Sequence, residues 1–125
     1  MKSGSLINNY VLLLGIFMLA EGIWGLFSDV VFGFMTTNTT HAVIHIALGI
    51  TGIILSVLHK AYLYCILTGA LLVVVGLLYM IPATKSLTVQ LLNLNGFVAV
   101  FNVVAGLIAL LVAYVGKRYD YINQP

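Results

Sequence analysis

Ala61–Thr84 reads AYLYCILTGALLVVVGLLYMIPAT, twenty-four residues without one Asp, Glu, Lys or Arg. About 20 apolar residues are enough for a helix to cross the hydrocarbon core of a bilayer. Val30–His59 and Ser86–Gly116 are equally free of charge, and Tyr10–Ser28 holds a single one, Glu21. Breaks fall at Ser28–Thr37, at His59-Lys60 and at Pro82–Thr88. These predict four spans at about 9–28, 40–59, 61–81 and 92–115 in a single membrane domain covering residues 1–125. Apolar residues run without period-2 alternation, so a β-barrel fits poorly and closed helices are the expected way to satisfy the backbone in lipid. The expected fold is all-α, an integral membrane four-helix bundle. The first span has Lys2 before it. Met18 stands where a cleavage site needs a small residue, so this span is expected to be a retained helix.

Composition agrees. The chain of 125 residues is 62% hydrophobic and 6% charged, with five Lys+Arg and three Asp+Glu. Soluble domains carry about 25% charged residues. A net charge of +2 on so few groups makes no basic patch, so nucleic acid is not an expected partner. Membrane lipids are. The lone Cys65 has no partner for an internal disulfide.

Lys2, Lys60, Lys117 and Arg118 fall at one side of four spans and Lys85 at the other. The positive-inside rule then puts both termini in the cytoplasm. Tyr10, Tyr62, Tyr64, Tyr114 and Tyr119 would mark the inner interface, and Trp24 and Tyr79 the outer one. The short turn at His59-Lys60 makes the second and third helices expected antiparallel neighbours.

The halves resemble each other. Tyr10, Leu13, Gly15 and Gly22 match Tyr64, Leu67, Gly69 and Gly76 at an offset of 54. Asn38, Ala42, Val43 and Gly49 match Asn95, Ala99, Val100 and Gly106 at 57. Two spans per half give two parallel-repeat helical hairpins about an axis along the membrane normal. Gly15 with Gly22, Gly49 with Gly52 and Ser56, and Ala105 with Ala109 and Ala113 form small-residue stripes that suit close helix packing.

Polar residues inside the spans are the candidate site. Glu21 should lie about 10 Å below the outer end of its helix and His45 about 8 Å below the end of the next. His41 is one turn above His45 on the same face. Asn38 and Asn95 open the second and fourth spans, and Asn102 lies about two turns deeper than Asn95. Glu21, Asn38, His41, His45, Asn95 and Asn102 would form one polar cluster in the outer half of the bilayer. A buried carboxylate needs a partner, and His45 matches Glu21 by depth. Such a pair is either ionic or neutral with one shared proton.

Three readings follow. The cluster is a structural clasp in a structural or partner-binding protein. Or it is a proton or small-solute pathway, which in so small a chain requires a homo-oligomer. Or His41 and His45, at i and i+4, ligate a metal or haem. The matching positions in the second half are Val98 and Asn102, which leaves symmetric haem ligation incomplete. No nucleophile–base pair and no phosphate loop is present, so an enzyme is not expected, and no cofactor is assigned.

The motif Asn38-x-x-His41-x-x-x-His45-x-x-x-Gly49-x-x-Gly52, followed by Ala61-Tyr62 and by Leu94-Asn95-Gly96, resembles a bacterial family of small four-span membrane proteins catalogued as a domain of unknown function. The resemblance covers about Gly15 to Leu110. It implies the four-span fold and the bacterial cytoplasmic membrane, and no activity. That family often carries a His in the fourth-span motif, where this chain has Val98 and Asn102.

Overall fold

Glycine and alanine decide how the helices pair. The computed structural model describes residues 3–123, with α1 at Ser3–Gly25, α2 at Thr39–Val57, α3 at Tyr62–Met80, α4 at Pro82–Leu92 and α5 at Gly96–Ile122. Lys2, one of the expected topology markers, lies outside the described residues. A Cβ placed on Gly15 would stand 2.9 Å from the carbonyl oxygen of Gly49, and one on Gly49 would stand 2.7 Å from that of Gly15. The backbones of α1 and α2 therefore touch, as do those of α3 and α5 at Gly69 and Gly106. α1 also packs on α5, which joins the two pairs.

The chain is an all-helical bundle, and α1, α2, α3 and α5 are each long and apolar enough to cross a membrane. Its packing is that of a lipid-solvated protein. The buried face of α5 is Val98, Ala99, Asn102, Gly106, Ala109, Ala113 and Gly116, while Phe97, Val104, Leu107, Leu111 and Val115 are exposed. On α5 the inward face is mostly small or polar, and the large aliphatic groups face outward. That is the arrangement expected where lipid solvates apolar surface and backbones must approach closely.

Two features depart from the expected layout. First, α2 and α3 barely meet despite the short turn between them, because the glycine faces commit α2 to α1 and α3 to α5. Their link is Tyr64, whose hydroxyl donates to the Leu48 carbonyl. Tyr10 does the same from α1 to the Ala105 carbonyl at 2.7 Å. Tyr64 is buried and Tyr10 half-buried, so both brace the interior instead of marking an interface.

Second, Pro82–Thr88 is not a plain break. Pro82 ends α3 and opens α4 at its first position, where its missing N–H costs nothing and its fixed φ suits a helix. The fourth span accordingly begins at Gly96 and runs to Ile122. The first loop also contains a short hairpin, β1 at Val30–Val31 and β2 at Met35–Thr36, antiparallel with Val31 opposite Met35. Its turn places Phe32 at φ 54° and Gly33 at φ 81°. A bulky residue rarely holds a positive φ. Phe32 is kept there between Phe17, stacked at 5.7 Å, and Trp24, edge-on at 5.1 Å.

At the opposite end α2 closes with His59 at φ 57°. Lys60 N–H bonds the Leu55 carbonyl and His59 N–H the Ser56 carbonyl, which is a Schellman closure. His59 Nδ1 also accepts from Asn8 Nδ2 at 3.1 Å.

Candidate functional site

The β-hairpin and α4 together cap one end of the bundle, and the site lies beneath this cap. α4 ends at Leu92 with Asn93 in the left-handed conformation, φ 51°. The last carbonyls of any helix lack intrahelical partners. Here side chains of the first half supply them. Asn38 Nδ2 donates to the Leu91 carbonyl at 3.0 Å. Thr36 Oγ1 donates to the Asn93 carbonyl at 2.6 Å. His41 Nδ1 lies 3.1 Å from the Leu92 carbonyl, and since a carbonyl only accepts, that ring nitrogen carries a hydrogen.

His41 and His45 are one helical turn apart, and their Nε2 atoms are 3.0 Å from each other. His45 Nδ1 in turn meets Glu21 Oε1. The result is a continuous chain, Glu21–His45–His41–Leu92 carbonyl. Glu21 is 7% exposed, His45 7% and His41 5%. α1 ends at Gly25, so Glu21 lies about 6 Å from the helix end by the α-helical rise, closer than the sequence reading put it. The cap buries it there.

Counting protons explains how three ionisable groups share so dry a place. Three contacts join the four groups, and each holds when one hydrogen lies in it. Three hydrogens on one carboxylate and two imidazoles leave a net charge of zero. The hydrogen between Glu21 and His45 can reside on either atom without changing that sum. A buried site with zero net charge escapes most of the penalty for taking an isolated ion out of water.

Glu21, His41 and His45 are thus brought into direct contact. The asparagines have other duties. Asn38 caps α2, its Oδ1 accepting from His41 N–H at 2.9 Å, and Asn95 caps α5, its Oδ1 accepting from Val98 N–H at 2.9 Å. Asn95 Nδ2 crosses to the Phe34 carbonyl at 2.8 Å. Asn102, 3% exposed, makes no side-chain hydrogen bond among the described residues. Sequence reasoning did not find Leu92, Asn93, Thr36 or Met35. Leu92 and Asn93 act through backbone carbonyls whose place depends on α4, and Thr36 through a hydroxyl that meets one of them.

Asn38 does two jobs at once, and Asn38→Ala should lower stability by about 0.5–2 kcal/mol, chiefly for the lost cap, because its bond to the exposed Leu91 carbonyl can be replaced by water. Asn95→Ala should behave alike. Thermal melting in detergent micelles followed by circular dichroism reads both.

No family model matches this chain, and neither the curated proteins nor the solved structures contain a match.

Proposed function

We propose that the chain is a multi-pass protein of the bacterial cytoplasmic membrane with a structural or partner-binding role. In this reading Glu21, His45 and His41 clasp the extracytoplasmic cap onto the bundle. The single observation that carries it is the unbroken buried contact from Glu21 to the Leu92 carbonyl, which links α1, α2 and α4. Orientation rests on charge. Lys60, Lys117 and Arg118 lie at the uncapped end and Lys85 at the capped one. Lys117 stands over the Tyr62 ring at 4.4 Å, as expected for a cation and an aromatic anchoring one interface.

Two similar hairpins form the frame. Contacts that recur at the sequence offsets support this. Tyr10 to Ala105 and Tyr64 to Leu48 are one contact made twice. So are Asn38 to Leu91 and Asn95 to Phe34, and so are Gly15 with Gly49 and Gly69 with Gly106. Each of the first two ties one half to the other, as a pseudo-two-fold axis between the hairpins requires. Glu21, His41 and His45 correspond to Val75, Val98 and Asn102. The clasp is therefore an asymmetric element added to a repeated frame.

A transport pathway would need polar groups continuing through the bundle. The layer one and two turns further along α1 is Met18 and Leu14 packed on Leu72, which favours a clasp. The test is a double-mutant cycle in metal-free detergent solution. Glu21→Gln and His45→Gln should each lower the melting temperature, and their coupling should be about 0.5–3 kcal/mol, the range for residues sharing one hydrogen-bond network. Independent, additive effects would show that the two residues do not act as one clasp.

A further inference from the structure

The imidazoles of the clasp are arranged as a pair of metal ligands is arranged. Each directs its Nδ1 to an oxygen, His41 to the Leu92 carbonyl and His45 to Glu21. Each turns Nε2 into one shared gap of 3.0 Å. Metal-bound histidines almost always give their other ring N–H to a carbonyl or carboxylate in this way. The ring centroids are 4.3 Å apart with planes at 83°. Rings aligned head-on across that gap would hold their centroids well beyond this separation, so the Nε2 axes are inclined to the line joining them. Inclination weakens a hydrogen bond, which prefers a near-linear donor. It suits a third atom held by both nitrogens.

The adjoining cavity has a volume of about 10 Å³, room for about one water-sized body. Glu21, His41, His45 and Met35 line it. Among the described residues no third His, Cys, Asp or Glu joins the two histidines as a ligand. Met35, 5% exposed and carried into the cavity wall by β2, is the soft donor available. Two imidazoles and a thioether favour copper(I), whereas zinc takes four ligands and here lacks both the donors and the space. Charge selects in the same direction. The hydrogen-bonded state holds one proton in the Nε2 gap, and a monovalent ion replaces it one for one with Glu21 ionised. The site stays neutral. A divalent ion would leave an uncompensated charge in the interior, which is strongly unfavourable.

We infer that His41, His45 and Met35 form a binding site for copper(I), with Glu21 and the Leu92 carbonyl orienting the imidazoles. Ligation uses the geometry of the clasp but not its effect on stability, so metal-free melting and metal binding fail or succeed separately.

The experiment titrates the full chain in detergent micelles with copper(I), anaerobically, against a chromogenic copper(I) chelator, and repeats it with zinc. One copper(I) per chain is expected, with no stoichiometric zinc. H41Q and H45Q should abolish binding. E21Q should weaken it 10–100-fold, as loss of an orienting partner does. Met35→Leu should weaken copper(I) at least tenfold. Because a variant can fail to fold, nitrogen-15 spectra of the histidines in the unaltered protein are a second readout. Copper(I) should shift the Nε2 resonances of His41 and His45 and leave their Nδ1–H in place. Absence of stoichiometric copper(I), zinc bound as tightly, retention of copper in H41Q, or Nε2 signals that copper leaves unmoved would each overturn the assignment.

Discussion

Gly106→Leu should abolish the folded bundle, and Gly106→Ala should lower its stability by about 1–3 kcal/mol, the usual cost of overpacking a tight interior. A Cβ at Gly106 would stand 2.5 Å from the Gly69 carbonyl oxygen and 2.9 Å from the Val73 amide nitrogen. Both are backbone atoms of α3, which cannot turn aside as a side chain can. The helices would have to separate, and Gly69 and Cys65 would lose their contacts with the Gly106 and Ala109 carbonyls. The higher helix propensity of Ala over Gly, about 1 kcal/mol, offsets only part of this. Gly96→Ala is the internal control. At the first position of α5 it gains less propensity than an interior site, but the nearest atom to its Cβ is Tyr79 Oη at 4.0 Å, so nothing is overpacked. It should be neutral or stabilising. Thermal and denaturant unfolding in micelles distinguish the three variants, and a Gly106→Leu protein melting as the unaltered chain does would refute backbone contact between α3 and α5.

Those glycines also show how much of the fold the residues disclose. The four long helices follow from runs of apolar residues long enough to span a bilayer, and the structure has helices at each of them. The pairing of helices was visible in the stripes of Gly15, Gly22 and Gly49, yet chain proximity at His59-Lys60 pointed to α2 against α3. Surface complementarity outweighed connection length. α4 was hidden because proline reads first as a terminator, although the same ring that stops α3 is well suited to begin the next helix. At the site, depth alone paired Glu21 with His45, since a buried carboxylate must find a partner. The partner of His41 was not legible. It is a backbone carbonyl, present at every residue, and it is singled out only because α4 ends at Leu92 and leaves that oxygen unpaired.

Glu21→Leu should lower stability by about 3–5 kcal/mol, the cost of removing one member of a buried charged or hydrogen-bonded pair. His45 Nδ1 would face an aliphatic group, and the three hydrogens shared along the chain would no longer match its acceptors. Replacing all three polar residues together, with Leu at 21, 41 and 45, should recover part of that loss and leave the variant less stable than the unaltered protein. No ionisable group is then left buried without a partner, and concerted apolar replacement of such groups is often neutral or stabilising by about 1–4 kcal/mol. The Leu92 carbonyl, unpaired in the triple variant, sets the residual deficit at about 1–3 kcal/mol. The comparison separates two reasons for having the clasp. If the triple variant is as unstable as Glu21→Leu alone, the polar chain contributes net stability that Leu cannot replace, and clasping accounts for it. If the triple variant melts close to the unaltered protein, stability does not account for two histidines and a carboxylate in the interior. The converging Nε2 atoms beside Met35 then have their explanation in the ion they can hold.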